Sequence, residues 1–323
     1  MEVLDQIPSL LAATIRVAVP LILAAFAGLF SERSGVVDIG LEGKMLAGAF
    51  ASAAICSITG NVWLGLLAAM ALAAALGLLH GFVCISQRGN QVVSGLAINI
   101  MVAGLTMTLG LAWFQQGGQT PPLPPSARFS DVILPGTSLL AGVPFLGEIY
   151  GKVIGGQNIL VYPTFVLVPL SWWVLFKTRF GLRIRAVGES PAAVDTAGIS
   201  VVRLRYTATL IAGALCGIAG AYIATAQGAG FVRDMTGGRG YLALAALVLG
   251  KWKPWNTLWS CLLFAALDAV AIRLQGVVIP GLGAVPVEFV QSVPYVMTIV
   301  LLAGFVGRAV PPRASGYPYV KER

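Results

Sequence analysis

Long apolar runs are the feature that most restricts how this chain can fold. One of them reads LLAAMALAAALGLLHGFVCI, and similar runs recur along the sequence. A run of about 18 residues or more can cross the hydrocarbon core of a bilayer as a helix. Because lipid offers no hydrogen-bond partners, each span must satisfy its own backbone polar groups, and a helix does so. With 57% hydrophobic and 11% charged residues, the sequence predicts an all-α, polytopic membrane protein that forms one transmembrane domain over residues 1–323.

We predict nine transmembrane helices in this chain. The seventh has only about 13 residues, or about 20 Å of helix, which is short for a hydrocarbon core of about 30 Å. It either spans in a broken form or re-enters the membrane. The first span follows an acidic start, MEVLDQ, so we expect the N-terminus to be retained rather than removed as a signal peptide. The approximate limits of the nine spans are 8–30, 43–59, 62–86, 94–115, 159–176, 204–227, 238–250, 256–275 and 289–307.

Positive charge is distributed unevenly between the two sides of these spans. If the polar segment 177–206 is cytoplasmic, fifteen Lys and Arg residues lie on the cytoplasmic side and five on the other. Cytoplasmic loops of membrane proteins carry such an excess. The sequence therefore predicts an N-terminus outside, a C-terminus inside and an extracytoplasmic loop at 116–158, which serves either as a docking surface or as a spacer. Membrane orientation, and not nucleic-acid binding, explains the net charge of +8.

The cytoplasmic segment contains a compact helix with boundary signals at both ends. In GESPAAVDTAGIS, Ser190 is predicted to cap the N-terminus, Pro191 suits the first helical position, and Gly198 suits a left-handed residue after the C-terminus. A short rigid helix suits docking into another protein. The chain has no GxxxxGK[ST] loop with which to bind ATP itself. The alternative is a helix that lies on the lipid headgroups.

Two glycine-broken polar stretches precede helices elsewhere in the chain. SGVVDIGLEGKM holds Asp38 and Glu42, and RDMTGGRGYLALAALVLG holds Asp234 and Arg239. Polar, irregular backbone is tolerated at membrane depth only where protein or a water-filled path surrounds it. The first stretch enters from the cytoplasmic side and the second from outside. This opposed arrangement is typical of inverted repeats with discontinuous helices, and it predicts a polar path between the two stretches.

Further polar residues at the start of the fourth span are candidates for the same path. Amide side chains can hydrogen-bond a solute without the cost of a buried charge. They can equally hold helices together, an interaction worth about 0.6 kcal/mol each. For the first glycine-broken stretch, the alternative is an interfacial loop in which Glu42 pairs with Lys44 or Arg33. The candidates of the fourth span are Asn90, Gln91, Ser94 and Asn99.

No catalytic or metal-binding pattern is present in the sequence. The four cysteines lie far apart in apolar runs, and His80 is the single histidine. A nucleophile elbow and a metal-ligand spacing are both missing. We therefore expect a chain that is not an enzyme and that carries no metal and no cofactor.

Several segments resemble a known family of membrane proteins. FGLRIRAVGESPAAVDTAGISVVRLRY resembles the coupling segment of the ATP-binding-cassette permeases that import sugars, branched-chain amino acids and nucleosides. SERSGVVDIGLEGKMLAGAFASA, GNQVVSGLAINIM and MTGGRGYLALAALVLGKWKPW resemble the nucleoside and simple-sugar branch of this family. The resemblance runs over nearly the whole chain. It implies a non-catalytic permease subunit with an inverted-repeat fold in a bacterial-type plasma membrane.

The resemblance also implies partners and a coupling surface. The partners are a second, related permease subunit, a cytoplasmic ATPase with two cassettes, and an extracytoplasmic lipoprotein that delivers the substrate. In these importers the coupling helix sits in a groove of the ATPase subunit. By this resemblance, the coupling residues of the chain are Gly188, Glu189, Ser190, Pro191, Asp195 and Gly198.

Two other functions stay open beside that of a nucleoside importer. The same class of permease could carry a pentose or another simple sugar, because both kinds of member share the quoted segments. A stand-alone, ion-driven carrier is the second alternative, with Asp268 and Glu42 as proton carriers. Such a carrier needs no dock for an ATPase, so the bounded helix at 190–198 argues against it.

The predicted orientation can be tested by labelling. Single cysteines at positions Ser126 and Ser190, introduced into a chain that lacks the four native cysteines, are exposed on intact cells to a thiol reagent that cannot cross the membrane. We expect the reagent to label position 126 and to label position 190 only after the membrane is permeabilised. Labelling of position 190 alone on intact cells would overturn this orientation.

Overall fold

Helices make up about three quarters of the part of the chain that the structure describes. The computed structural model describes residues 2–134, 146–274, 278–279, 283–284, 292–293, 296–297, 299–300 and 309–321. The main helices are α1 (Glu2–Arg33), α2 (Leu41–Thr59), α3 (Val62–Gly81), α4 (Gln91–Phe114), α5 (Val161–Lys177), α6 (Arg179–Glu189), α7 (Pro191–Thr196), α8 (Val201–Tyr222), α9 (Arg239–Leu249) and α10 (Pro254–Leu274).

Short elements extend or connect these helices. Two antiparallel strand pairs are β1 with β2 and β3 with β4. Their bounds are Asp131–Ile133 and Gly156–Asn158 for the first pair, and Val278–Ile279 and Gly283–Ala284 for the second. The remaining elements are a 3₁₀ turn (Pro125–Ala127), a single turn (Leu146–Glu148), and π-helical segments at Phe82–Ser86, Ile149–Ile154 and Ile223–Gln227.

The first eight predicted spans coincide with helices, but the described residues do not contain nine full spans. Among them, six helices are long and apolar enough to cross a membrane, and a seventh span results if α5 and α6, which meet at 72°, count as one. Helix α9 has only 11 residues, so the prediction of a shortened seventh span is confirmed. The ninth predicted span, 289–307, lies outside the described residues apart from a few isolated positions.

Three helices form the centre of the protein, and two lie at its edge. Most residues of α1, α2 and α8 are buried, whereas α3 and α4 leave most of theirs exposed. The exposed side chains of these two helices are largely apolar; Leu67, Ile100 and Trp113 are examples. An apolar outer face is what contact with lipid, or with another membrane protein, requires.

Glycines allow the central helices to approach closely. A Cβ atom at Gly48 of α2 would lie 2.8 Å from the Cα atom of Gly217 of α8, and a Cβ at Gly220 would collide with the backbone of Met45. Small residues are the usual means of packing helices in lipid, because dispersion forces between closely fitting surfaces replace the hydrophobic effect there. The mutual position of α2 and α8 therefore depends on these glycines.

Helix α7, which the sequence predicts to be cytoplasmic, follows its boundary signals, with one correction. Pro191 opens the helix, Gly198 is left-handed with φ +77°, and the Ser200 hydroxyl accepts a hydrogen bond from Arg203 N (3.3 Å) as the cap of α8. The predicted side-chain cap by Ser190 is wrong. Ser190 occupies the N-cap position, but its side chain accepts no hydrogen bond from α7. Ser190 adopts φ −150° and ψ 85°, and its hydroxyl accepts from neither of the N–H groups of the second and third helical positions that a capping serine uses.

Replacement of Gly48 tests the close packing of α2 on α8. Gly48→Leu should lower the free energy of unfolding by about 1–3 kcal/mol, because the added side chain forces the two helices apart. The four buried cysteines allow unfolding in detergent to be followed with a thiol-reactive dye. Gly104→Leu on α4 is the matched control, since a Cβ there meets no atom within 4 Å. Equal thermal stability of the two variants would contradict this packing.

Candidate functional site

Two helices begin side by side inside the protein and share one carboxylate. Glu42, in the first turn of α2, accepts hydrogen bonds from Gly238 N (2.8 Å, Oε1) and Gly240 N (2.6 Å, Oε2) at the start of α9. The first N–H groups of a helix have no partner within that helix and carry partial positive charge. The carboxylate of Glu42 therefore satisfies two of these donors and joins the N-termini of α2 and α9.

Asn99 of α4 fixes the same junction from a third side. Its Oδ1 atom accepts a hydrogen bond from Gly43 N (2.7 Å), and its Nδ2 atom donates to Ile39 O (3.1 Å) and to the hydroxyl of Tyr241 (2.8 Å). A Cβ at Gly43 would lie 2.8 Å from the Cα of Asn99, so glycine is needed for this approach. Three helices, α2, α4 and α9, thus meet through Glu42 and Asn99.

A cavity of about 280 Å³ opens at this junction. Its wall brings together three of the predicted path residues, Glu42, Asn99 and Asp234. Tyr241 also lines it, and this residue was not among the predicted ones. A polar aromatic residue three positions after the glycine pair of MTGGRGY is the sequence signal that could have identified it. The remaining lining residues are Gly43, Leu46, Ile100, Ala103, Thr236, Gly237 and Gly238.

Few polar groups in this cavity are left for a ligand. Both N–H groups of the Asn99 amide are already used within the protein, and each carboxylate oxygen of Glu42 holds a backbone N–H. The Tyr241 hydroxyl accepts from Asn99, which leaves its own hydrogen free to donate. Asp234 lies at the exposed rim, where it accepts a hydrogen bond from Arg233 (3.1 Å). The cavity therefore offers Tyr241 with its hydroxyl donor, the Thr236 hydroxyl, and a carboxylate at its rim.

A second polar cluster is closed off from solvent and lies beside the first. The Lys44 ammonium donates to the carboxylate of Asp38, and both side chains are fully buried. His80 bridges Val37 O and the Ser94 hydroxyl, at 3.0 Å each. Because a carbonyl can only accept, the Nε2 atom of His80 carries the proton and its Nδ1 accepts from Ser94. This cluster holds loop 34–40 against α3 and α4.

The ion pairs that the sequence offered as alternatives are wrong. Glu42 pairs with neither Lys44 nor Arg33, because Lys44 is bound to Asp38 and the Arg33 guanidinium donates to Trp252 O (3.0 and 2.6 Å). Loop 34–40 is not helical. The rule that side chains three or four positions apart meet therefore does not apply within it. Because Lys44 is buried in an ion pair with Asp38, it does not count among the interfacial cations on which the predicted orientation rests.

The other predicted path residues do not line the cavity. Gln91 is buried and accepts a hydrogen bond from Val37 N (2.7 Å), while Ser94 belongs to the closed cluster. Asn90 is exposed and caps α4 through Val92 N and Val93 N. The Arg239 side chain lies beside Gln227 (3.4 Å) at the surface. Gln91 thus joins α4 to loop 34–40, whereas Asn90 caps its own helix, a role that was not among the alternatives.

The residues of the predicted coupling surface lie on and around the short helix α7. Glu189, Ser190 and Gly198 are exposed, and Asp195 is half-buried beside Lys321. Gly188 differs from them, because it is buried against the end of α1, where a Cβ would collide with Arg33 O. Helix α7 itself is held by Val194, which packs with Val187 and Val201. The result is a short exposed helix on an apolar base.

Comparison with known proteins decides the family. The family described as branched-chain amino acid transport system, permease component, matches residues 10–302. The chain belongs to this permease family. Its multi-pass helical architecture and its lack of a P-loop fit a membrane subunit of such a transport system.

Individual relatives of the permease carry nucleoside and sugar names. The guanosine ABC transporter permease protein NupQ of Bacillus subtilis is 40% identical, with 99% of each chain covered. The nucleoside ABC transporter permease protein NupC of Lactococcus lactis is 36% identical over 100% of both chains. The putative glucose ABC transporter permease protein TsgC13 of Haloferax volcanii is 37% identical, and the match covers 82% of this chain and 78% of its own.

A more distant relative from Bacillus subtilis is, like NupQ, named as a guanosine ABC transporter permease protein. The guanosine ABC transporter permease protein NupP of Bacillus subtilis is 27% identical, with 92% of this chain and 82% of NupP covered. Bacillus subtilis thus has two guanosine permease proteins, NupP and NupQ, that match this chain.

Gln91 allows its structural role in the permease to be separated from a path role. Gln91→Leu leaves Val37 N without its acceptor in a buried place, which should cost about 1–3 kcal/mol of stability. Thermal unfolding in detergent should therefore shift to lower temperature, while the transport of the correctly folded fraction stays unchanged. Val92→Leu, next to it and exposed, is the control. Normal stability combined with weakened transport would contradict the structural role and support Gln91 as a path residue.

Proposed function

We propose that this permease forms the membrane path of an ATP-driven importer for nucleosides. The observation that carries this proposal is the 40% identity to the guanosine permease NupQ over 99% of both chains. The 36% identity to NupC over the full length supports it. The permease itself performs no chemistry. A separate ATPase supplies the energy, and the permease provides a path that opens to alternate sides.

The cavity at the junction of α2, α4 and α9 is the proposed substrate path. Nucleobases stack on aromatic rings and accept hydrogen bonds on their edges. Tyr241 offers both an accessible ring and a free hydroxyl hydrogen, while Asp234 at the rim can accept from a sugar hydroxyl. Glu42 and Asn99 hold the walls. So few available polar groups give weak binding, and weak binding suits a path from which the substrate must leave again.

The discontinuous start of two helices supports the same location. Helices α2 and α9 begin next to each other, and two N–H groups at the start of α9 donate to Glu42 in the first turn of α2. Broken helices of this kind mark the substrate site in transporters built from inverted repeats. We propose that the chain has this inverted-repeat organisation, with the N-terminus outside and the C-terminus in the cytoplasm.

Helix α7 and its flanking residues form the proposed ATPase-coupling surface. The exposed positions of Glu189, Ser190 and Gly198 on a fixed apolar base support this role. We propose Gly188, Pro191 and Asp195 as positions that hold the helix in place. The remaining proposed partners are a second permease subunit, in line with the NupP and NupQ pair, and an extracytoplasmic lipoprotein that delivers substrate at the 116–158 loop.

A simple sugar is the second candidate substrate. It is favoured by the 37% identity to TsgC13, although that match covers less of both chains. A sugar would use Asp234 and the hydroxyl of Tyr241 but would gain less from the ring.

Uptake by the source organism tests the substrate. Disruption of this reading frame should abolish ATP-dependent uptake of labelled guanosine, and a plasmid copy should restore it. Unlabelled adenosine and uridine should compete, and glucose and ribose should not. Competition by the sugars alone would favour the sugar importer. Uptake that survives ATP depletion but stops with a protonophore would show an ion-driven carrier.

The proposed contact with Tyr241 adds a second arm to this experiment. Tyr241→Leu should lower the maximal rate of guanosine uptake about fivefold or more, the factor that corresponds to the weakest stacking of a base on an aromatic ring. Tyr162→Leu, on α5 and away from the cavity, is the matched control. Equal uptake by both variants at equal membrane levels would remove Tyr241 from the path.

A further inference from the structure

The C-terminal tail lies on the cytoplasmic face of the permease and joins two of its functional segments. Ala314 N donates a hydrogen bond to Gly188 O (2.8 Å), at the end of α6. Gly316 N donates to Gly35 O (3.2 Å), in the loop that leads from α1 to α2. Residues 314–321, which we call the tail strap, therefore contact both the coupling segment and loop 34–40.

Arg205 of α8 stabilises the contact between the tail strap and loop 34–40 from the protein interior. It is one of the largest fully buried side chains, with only 1% of its surface exposed. Its Nε atom donates to Ser34 O (3.2 Å) in the loop, and its Nη1 atom donates to Tyr317 O (3.1 Å) in the tail strap. The planar, forked guanidinium can hold two acceptors in fixed directions, which an ammonium group does not.

The fit around Gly35 shows how tightly these parts meet. Gly35 has φ +87°, a conformation that favours glycine. A Cβ at this position would lie 2.9 Å from Nη2 of Arg205 and 3.1 Å from Ala314 O. Loop, tail strap and Arg205 therefore form one packed joint.

The far end of the tail strap reaches the proposed coupling helix. Tyr319 packs on the cluster of Val187, Val194 and Val201, which forms the base of α7. The Lys321 ammonium lies 3.7 Å from the Asp195 carboxylate. The ion pair is exposed and weak by itself, so the apolar contact of Tyr319 is the firmer link.

Loop 34–40 is in turn tied to the cavity. Val37 N donates to Gln91, and Asp38 binds Lys44 of α2. Helix α2 also carries Glu42, two positions before Lys44, and Glu42 lies in the cavity wall. Hydrogen bonds and packed side chains therefore connect α7 to this wall without a gap, through the tail strap and Arg205.

We propose that Arg205 and the tail strap are positioning elements that transmit movement of the coupling helix to the substrate path. This inference rests on the proposed function as an ATP-driven importer. A buried cation that is held by backbone carbonyls of two distant segments keeps those segments in register. When the ATPase moves α7, the strap moves loop 34–40 with it, and the junction of α2 with α9 follows.

The ratio of substrate imported to ATP hydrolysed tests this inference. The complete transporter, with its permease pair, ATPase and binding protein, is reconstituted in vesicles that contain ATP. Two variants weaken the strap, Arg205→Met and a truncation that removes residues 314–323. Each should keep its ATPase and hydrolyse ATP, yet import about two- to thirtyfold less guanosine per ATP. Arg203→Met, exposed on the same helix, should leave the ratio unchanged.

The variants also separate transmission from mere folding. A structural role alone would lower uptake and hydrolysis in proportion to the amount of assembled protein and leave their ratio constant, which would overturn the inference. If Arg205→Met fails to accumulate, the truncation and Arg205→Lys carry the test, and Arg205→Lys should restore the ratio only in part. Because both changes break one joint, their combined effect on the ratio should be smaller than the product of the single effects.

Failure of the proposed function gives a different result. In that case the unmodified transporter imports no guanosine when ATP is supplied, and the strap has no coupling role. If the unmodified transporter imports guanosine and both variants keep its ratio, only the role of the strap is rejected.

Discussion

The carboxylate of Glu42, shared between two helix starts, is the interaction on which the arrangement of the cavity depends. A helix that begins within a low-dielectric interior leaves donors without partners, and each costs several kcal/mol there if unsatisfied. Glu42 of α2 satisfies Gly238 N and Gly240 N of α9, while Asp38 and Asn99 accept from Gly40 N and Gly43 N at the start of α2. Negative charge at a helix N-terminus is itself favourable. A short α9 is stable inside the protein for this reason.

The surrounding polar residues then divide into two groups with different duties. One group, which includes Asp38, Lys44 and His80, is closed and internally satisfied, and it fixes loop 34–40. The other surrounds an open cavity, where Asn99 is saturated and Tyr241 keeps a free donor. Strong polar contacts thus hold the cavity walls, while few polar groups face the cavity itself. In the proposed substrate path, this arrangement would keep a substrate from being trapped.

The region around Arg205 and the tail strap likewise depends on few polar contacts. Arg205 sits fully buried among backbone carbonyls, and the tail strap crosses from α6 to loop 34–40 over glycines. Between these two polar regions, α2, α3 and α8 are packed through small residues such as Gly48 and Gly217. Closely packed helices move as a unit. A rigid bundle with a polar joint at each end is suited to carry displacement from the membrane surface to the cavity.

The sequence by itself determined the helical class, the positions of eight spans, the shortened α9 and the boundaries of α7, because apolar run length, glycine, proline and capping preferences act locally. It also identified Glu42, Asn99 and Asp234 as residues of one region. Only the tertiary structure decided which partners these residues take. Asp38 binds Lys44, Gln91 and Asn90 serve as structural contacts, Tyr241 joins the cavity, and Arg205 meets the tail strap 112 residues away. Such pairings follow from how helices pack, since loop 34–40 and the tail have no periodic structure from which sequence spacing could predict a neighbour.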